Sequence, residues 1–380
     1  MGPLAGRRIV ELAGIGPAPM CCMLLADLGA TVLRIDRPDP PELGVQRPLK
    51  YNLLLRGRHS LALNVKRPEA RDLVLELVQG ADALVEGFRP GVTERLGLGP
   101  AECLARNPRL VYGRMTGWGQ DGPLAQAAGH DLNYIALTGA LHAIGRAGQP
   151  PSPPLNILGD YAGGSLYLAI GLLSAMLEVN TSGKGQVIDA AIVDGTAHLM
   201  TAFHGLQAAG LWRDERGSNF MDSGAYFYDS YECADGHYVS IAPIESRFHT
   251  ELLQRLGINP ASFPPQDDRT RWPEARERLA AEFRSRTRDE WCQMLEGSDA
   301  CFAPILTLDE ARQHPHMQAR GTYQEVAGVP QPTAAPRFSR TVPEPPIPPQ
   351  PITAAGAEAA LEGWLSQERI AALRSSGVLG

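Results

Sequence analysis

Residues 9 to 36 limit the possible folds more than any other stretch of this 380-residue chain. Ile9-Val10-Glu11-Leu12 reads as a short strand and Gly14-Ile15-Gly16-Pro17 as a turn. Ala18 to Leu28 carries apolar residues at helical spacing, and Thr31-Val32-Leu33-Arg34-Ile35-Asp36 reads as a second strand. A helix between two strands carries the chain back across one face, so the strands run parallel. The alternation continues with a strand over 60–65, a helix over 68–79 opened by Pro68, and short buried strands at Ala83-Leu84-Val85 and Leu110-Val111-Tyr112. The expected fold class is therefore α/β, with a mostly parallel sheet, helices on both faces, and ligands at the carboxyl ends of the strands.

Those ends carry Gly14 to Pro17, Arg37, Gly87 to Gly91 and Thr116 to Gly119, with Arg56 and Arg58 before the third strand and Arg89 and Arg95 around the fourth turn. Arginine at strand ends suits phosphate, which its N–H donors grip in pairs. The Gly-x-Gly turn and Asp36 resemble part of a dinucleotide-binding fingerprint, but Pro19 stands where the third glycine belongs, so nicotinamide or flavin binding is not expected.

Farther along, Tyr161 to Leu177 is uncharged; with glycines at its start and only 17 residues, it reads as a buried core helix rather than a membrane span. Small and polar residues over 217–224 suggest a linker or mobile loop. Tyr226 to Cys233 and His237 to Ile241 flank Ala234-Asp235-Gly236, a hairpin signal, and helices are expected over 248–256, 272–284 and 288–295. Nine prolines between Pro330 and Pro351 predict an extended strap, followed by a last helix over 356–373. The organisation expected is a large domain with linker helices over 1–215, a smaller α+β domain over 225–325, and a strap and helix over 326–380 that return to the large domain.

A net charge of −7 gives no reason to expect nucleic acid or a membrane as partner. Six scattered cysteines, none at metal or redox spacing, and an N-terminus without an apolar core point to a cytoplasmic protein with reduced thiols. No metal signature, nucleophile elbow or phosphate loop is present, so chemistry falls to acid and base groups or to a carboxylate nucleophile. His130 within Gly129-His130-Asp131-Leu132-Asn133-Tyr134 and Asp160 within Gly159-Asp160-Tyr161-Ala162-Gly163-Gly164 stand out, each flanked by glycine where an apolar run begins. Facing one small volume, they could pass a proton on and off a carbon atom. A histidine that merely caps a helix would look the same.

These two stretches, together with Val10 to Pro17, Arg34-Ile35-Asp36-Arg37-Pro38, Glu86 to Val92, Gly183-Lys184-Gly185-Gln186 and Tyr231 to Gly236 leading to Ile244-Glu245, resemble the α-methylacyl-CoA racemases of the family III CoA-transferase (CaiB/BaiF) superfamily. The resemblance runs in unbroken order to about residue 310. It implies a Rossmann-like large domain, a small domain and an interlocked homodimer, with no cofactor beyond the CoA of an acyl-CoA substrate. It implies interconversion of (2R)- and (2S)-2-methylacyl-CoA through an enolate, with catalytic roles for His130, Asp160 and Glu245, the last supplied by the partner chain. CoA contacts are implied for Arg37, Leu63, Asn64, Val65, Lys66, Gly87, Phe88, Arg89, Pro90, Gly91, Val92, Arg95, Gly129, His130, Asp131, Leu132, Asn133 and Tyr134. The alternative on the same fold is a CoA-transferase in which Asp160 accepts the acyl group. Tyr226, Pro243 and Ser246 depart from the family pattern near the implied acyl pocket, which bears on chain preference rather than on the reaction.

Overall fold

The structure, a computed structural model, describes residues 1–39 and 44–379 and divides them into two compact units. The first comprises 1–138, 155–199 and 321–380. It is built on a six-stranded parallel sheet, β1 (Arg8–Leu12), β2 (Thr31–Asp36), β3 (Arg58–Ala62), β4 (Ala83–Glu86), β5 (Val111–Thr116) and β6 (Val187–Ala191), in the order β3-β2-β1-β4-β5-β6. Its helices include α1 (Pro17–Asp27), α2 (Pro68–Gln79), α3 (Val92–Arg95), α4 (Pro100–Arg106), α5 (Asp131–Ala136), α7 (Tyr167–Ser182), α8 (Ile192–Leu199) and two near the C-terminus, Ala354–Leu361 and Gln367–Ser375; the short α6 (Ala140–Ala143) belongs to the second unit.

The period of two along each strand sorts the core into two layers. Val10 sits opposite Leu33 and Leu84, and Leu84 opposite Tyr112, so one row faces α2, α4 and the C-terminal helices. Ile9 sits opposite Val32 and Ala83, and Ala83 opposite Val111, so the alternate row faces α1 and α7. Strand order changes direction between β1 and β4, which opens a crevice at their carboxyl ends, bounded by the 13–16 and 87–91 turns.

Several expectations need correction. The third strand is Arg58–Ala62 rather than 60–65, and Arg56 and Arg58 do not wait at a strand end for phosphate. Both are buried: Arg58 Nε donates to Glu11 Oε2 at 2.7 Å, and Arg56 Nη2 to Asp27 Oδ2 at 2.5 Å. A buried guanidinium needs a carboxylate, and these have theirs inside the protein. Part of the proline-rich stretch pairs as a two-stranded sheet, Tyr323–Val326 with Val329–Pro332, where the prolines occupy an edge. The last helix is two, Ala354–Leu361 and Gln367–Ser375, the second capped by Ser366. The uncharged run lies in a continuous helical stretch, Ile157–Ser182, long and apolar enough by length and composition to cross a membrane; half of its most apolar window is buried within the protein.

The second unit, 139–154 and 200–320, holds the antiparallel sheet β7 (Asp229–Glu232), β8 (Tyr238–Ile241), β9 (Phe302–Ile305), with Ala234-Asp235-Gly236 as its first turn. Helices α9 (Thr201–Ala208) and α10 (Ser246–Arg255) belong to it, and Tyr231, Val239, Leu252, Phe283 and Trp291 fill its core. Tyr226, expected in the hairpin, precedes the strand and instead joins an aromatic nest with Phe227, Phe263 and Trp272, its hydroxyl 2.8 Å from His249 Nε2. The 217–224 stretch is an ordered knot: buried Asp222 accepts from the amides of Gly217, Asn219 and Gly224 and from the Asn219 side chain. Small polar residues there serve the turn, because a short carboxylate can gather several N–H groups.

Candidate active site

Asp160 occupies an unusual element. Ile157–Leu166 is π-helical, a wide-turned form associated with functional sites, and it runs directly into α7. Small residues let it pack closely on its neighbours. A Cβ on Gly159 would lie 2.5 Å from Asp131 Oδ2, and one on Gly195 would lie 1.9 Å from Gly163 O, so neither position tolerates a side chain in this arrangement. Ser165 Oγ lies 2.8 Å from Pro17 O and 2.9 Å from Asp160 O, tying the segment to the start of α1. The Asp160 carboxyl thereby sits over the turn at Gly16, at the β1–β4 crevice: its Oδ2 is 3.4 Å from where a Gly16 Cβ would be.

His130 is the N-cap of α5, in extended conformation and exposed. The Asn133 side chain accepts its backbone N–H at 3.0 Å, which fixes the entry to the helix and leaves the imidazole at the helix mouth. Its neighbour Asp131 turns inward. Asp131 Oδ2 accepts the Asp160 amide at 2.6 Å and the Gly159 amide as well, and Asp131 Oδ1 is buried without a hydrogen-bond partner. The sequence reading placed Asp131 among ligand contacts; its side chain belongs to the scaffold beneath Asp160. Tyr134 donates to Gly129 O, and its ring meets Trp118 edge-on at 4.7 Å between centroids.

Burial raises the Asp160 carboxyl above its ordinary range, and the Asp131 charge raises it further. A hydrogen bond from Asn156 Nδ2 at 3.3 Å and the charge of His130 act in the opposite sense. His130 and Asp160 thus lie within electrostatic reach of each other. Asn156, one turn before Asp160, went unnoticed in the sequence; its spacing of four is the signal that was available.

The other implied contacts lie in the same unit, at the ends of β2, β3 and β4. Arg37, Asn64 and Lys66 are exposed and Val65 half-buried, while the Leu63 side chain is in the core, which leaves only its backbone for a ligand. In the 87–92 turn, Phe88 N donates to Glu86 Oε2 at 2.7 Å, Gly91 takes a φ of 81° at the start of α3, and Arg95 lies against it. Arg114 links Glu86 at 2.9 Å to Glu94 at 2.8 Å, bracing the turn from behind. Burial pushes the Glu86 carboxyl up to about 7, against the pull of the Phe88 amide and Arg114.

Glu245 belongs to the second unit. It is exposed at the N-cap of α10, and Gln266 Nε2 holds the segment leading to it by donating to Pro243 O at 2.9 Å and Ile244 O at 2.8 Å. The first unit therefore assembles His130 and Asp160 and does not contain Glu245.

Known proteins resemble this chain over nearly its whole length. The sequence pattern described as CoA-transferase family III matches residues 4–355. The chain is 42% identical over 378 residues to the alpha-methylacyl-CoA racemase of Mus musculus, covering 99% of this chain and 97% of that one. It is 42% identical over 349 residues to the alpha-methylacyl-CoA racemase of Homo sapiens, covering 89% of each. Among solved structures, a CAIB/BAIF family protein from Brucella suis superposes with a TM-score of 0.78 at 27% identity, over 95% of this chain and 99% of that one.

Proposed function

The chain belongs to CoA-transferase family III, and from that membership we propose that it is a racemase interconverting (2R)- and (2S)-2-methylacyl-CoA thioesters. The observation that carries the reading is the setting of Asp160: half-buried, with a second carboxylate on its own backbone amide and, among the described residues, no arginine paired to it.

The α-proton of a thioester is weakly acidic, so its removal needs a placed base and a stabilised enolate oxygen. Neutral His130 takes the proton from one face, and protonated Asp160 returns one to the other; the reverse direction exchanges their roles. A raised Asp160 carboxyl suits a group that must carry a proton near neutral pH. Within Gly129 to Asp131, the His130 N–H is committed to Asn133 Oδ1, so the first-turn amide of Asp131 is the better donor to the enolate oxygen. The steps use only groups of the protein, with CoA as part of the substrate and no metal or further cofactor. A transferase using Asp160 as acyl acceptor would need it ionised as a nucleophile, which burial and Asp131 both oppose.

The CoA moiety, on this reading, lies along the carboxyl ends of β2, β3 and β4, against Arg37, Asn64 to Lys66, the 87–92 turn and Arg95. The protein works as a homodimer in which the partner chain's Glu245 supports His130. Three apolar side chains of one helical stripe, Leu166, Ile170 and Leu177, are 45%, 60% and 71% exposed in the single chain and call for a cover. All six cysteines are free, four of them buried, in keeping with a cytoplasmic protein.

Incubation with a (2R)-2-methylacyl-CoA in deuterated water, with no carboxylic acid added, tests the reading. Deuterium at Cα together with formation of the (2S) epimer is the expected result. Unchanged substrate that instead passes CoA to an added acid replaces the racemase with the transferase.

A further inference from the structure

We propose that the Asp131 carboxylate is a positioning residue for the reaction: it holds the backbone of the π-helical segment beneath Asp160 and supplies the charge against which Asp160 carries its proton. The inference rests on the racemase reading and assigns a task within it to a side chain that touches no reacting atom, distinct from the backbone amide of the same residue.

Three observations converge on this side chain. Asp131 is 7% exposed yet makes no ion pair with arginine, lysine or histidine among the described residues. A buried carboxylate without a cation is costly, and a chain whose only need was to bind the 159–160 amides could have used a neutral acceptor. Next, its Oδ2 gathers the amides of Gly159 and Asp160, while the missing side chain of Gly159 lets this oxygen approach. Finally, Oδ1 is buried and unpartnered, so the carboxylate is under-satisfied and its field acts on the nearest titratable group.

That group is Asp160. Around it, α5 presents His130, Asp131 and Tyr134, and its own segment presents Asn156. The α1 side offers the backbone of Gly16 and Pro17, and α8 packs on the segment through Ile192, Gly195 and Thr196, none of them charged. Asp131 is the like-charged member of this set. Its carboxylate opposes ionisation of Asp160, whereas an imidazolium at His130 favours it. On this proposal the two aspartates titrate as a coupled pair, the Asp131 charge favouring the protonated form of Asp160.

Selective ¹³C labelling of aspartate carboxyls, with the Asp160 signal assigned by its loss in Asp160→Asn, tests the coupling directly. In the wild-type protein the Asp160 signal should titrate in two steps shared with Asp131. In Asp131→Asn, which keeps an acceptor oxygen and removes the charge, the Asp160 midpoint should fall by about 0.5 to 1 unit. One limb of the kcat–pH profile should move the same way, with KM for the CoA thioester within about twofold. A wild-type Asp160 signal that titrates in one step, blind to Asp131, overturns the proposal even if the variant does not fold. So does an Asp131→Asn enzyme whose activity falls equally at every pH with both limbs in place, since a purely structural role gives that result. The carboxyl titration reads Asp160 whether or not thioesters turn over. Absent α-deuteration with a shifted midpoint therefore removes the racemase reading and leaves the coupling, while normal deuteration with an unmoved midpoint does the reverse.

Discussion

Two groups of buried carboxylates lie near the carboxyl ends of β1 and β4, and they are built on opposite principles. Glu11, fully buried, is held by Arg34 at 3.0 Å and Arg58 at 2.7 Å, with Asp36 completing the set on Arg34. Asp131 and Asp160 face each other through a backbone amide with no guanidinium between them among the described residues. Where arginines meet the carboxylate in place, the pair serves the fold. Where like charges meet in a half-buried pocket, the charge of Asp131 favours the protonated form of Asp160. Burial alone does not tell these two groups apart; the sign of the neighbours does.

The largest effect that could break this contrast is on turnover. Asp160→Asn should lower kcat by about 10²–10⁴-fold, the usual reach of general acid–base catalysis, while affinity for CoA changes little. Steady-state kinetics with isothermal titration of CoA reads both, and loss of CoA binding along with activity would class Asp160 with Glu11 as structural. Glu11→Gln should instead act on stability. It leaves Arg34 and Arg58 buried with too little negative charge, at a cost of about 3–5 kcal/mol by denaturant unfolding. A protein that tolerates the change would mean that the arginines find water or other acceptors.

Glu86 is the intermediate case and sharpens the comparison, since it is buried like Glu11 but shares its single arginine with Glu94. Its folded carboxyl is raised from 4.5 to about 7, so the folded state binds the proton more tightly than the unfolded chain. The stability this contributes is present below pH 4.5 and is lost as pH rises through 7, an effect of about 3 kcal/mol. The difference in unfolding free energy between wild type and Glu86→Gln, followed across that window, should therefore slope against the wild type as pH rises. A flat difference would place Glu86 with Glu11 as a fully compensated charge.

Much of this molecule was legible in the chain. The strand–turn–helix–strand pattern of residues 9–36 and its continuation through β5 required parallel strands, and alternate side chains such as Ile9 and Val10 chose opposite layers because the pleat has a period of two. His130 and Asp160 were singled out by their flanking glycines, and the structure gives Gly159 a reason: Asp131 Oδ2 occupies the space of its Cβ. Arg58 and Arg56 were misread because a strand-end arginine looks the same on paper whether it faces solvent or a carboxylate from another element. Residues 217–224 were misread for a related reason, since small polar residues suit both a loose linker and a turn gathered on Asp222.

The local pattern thus determined the class of fold and the strand-end location of the crevice, and it singled out His130 and Asp160, because periodicity and turn chemistry act over neighbouring residues. Which carboxylates are neutralised and which are left to contend with each other was decided only in three dimensions. The distance from Asp131 to the Asp160 amide, and from Glu11 to Arg58, depends on how helices and strands far apart in the chain are packed, and electrostatic energy in a buried site depends on that distance above all.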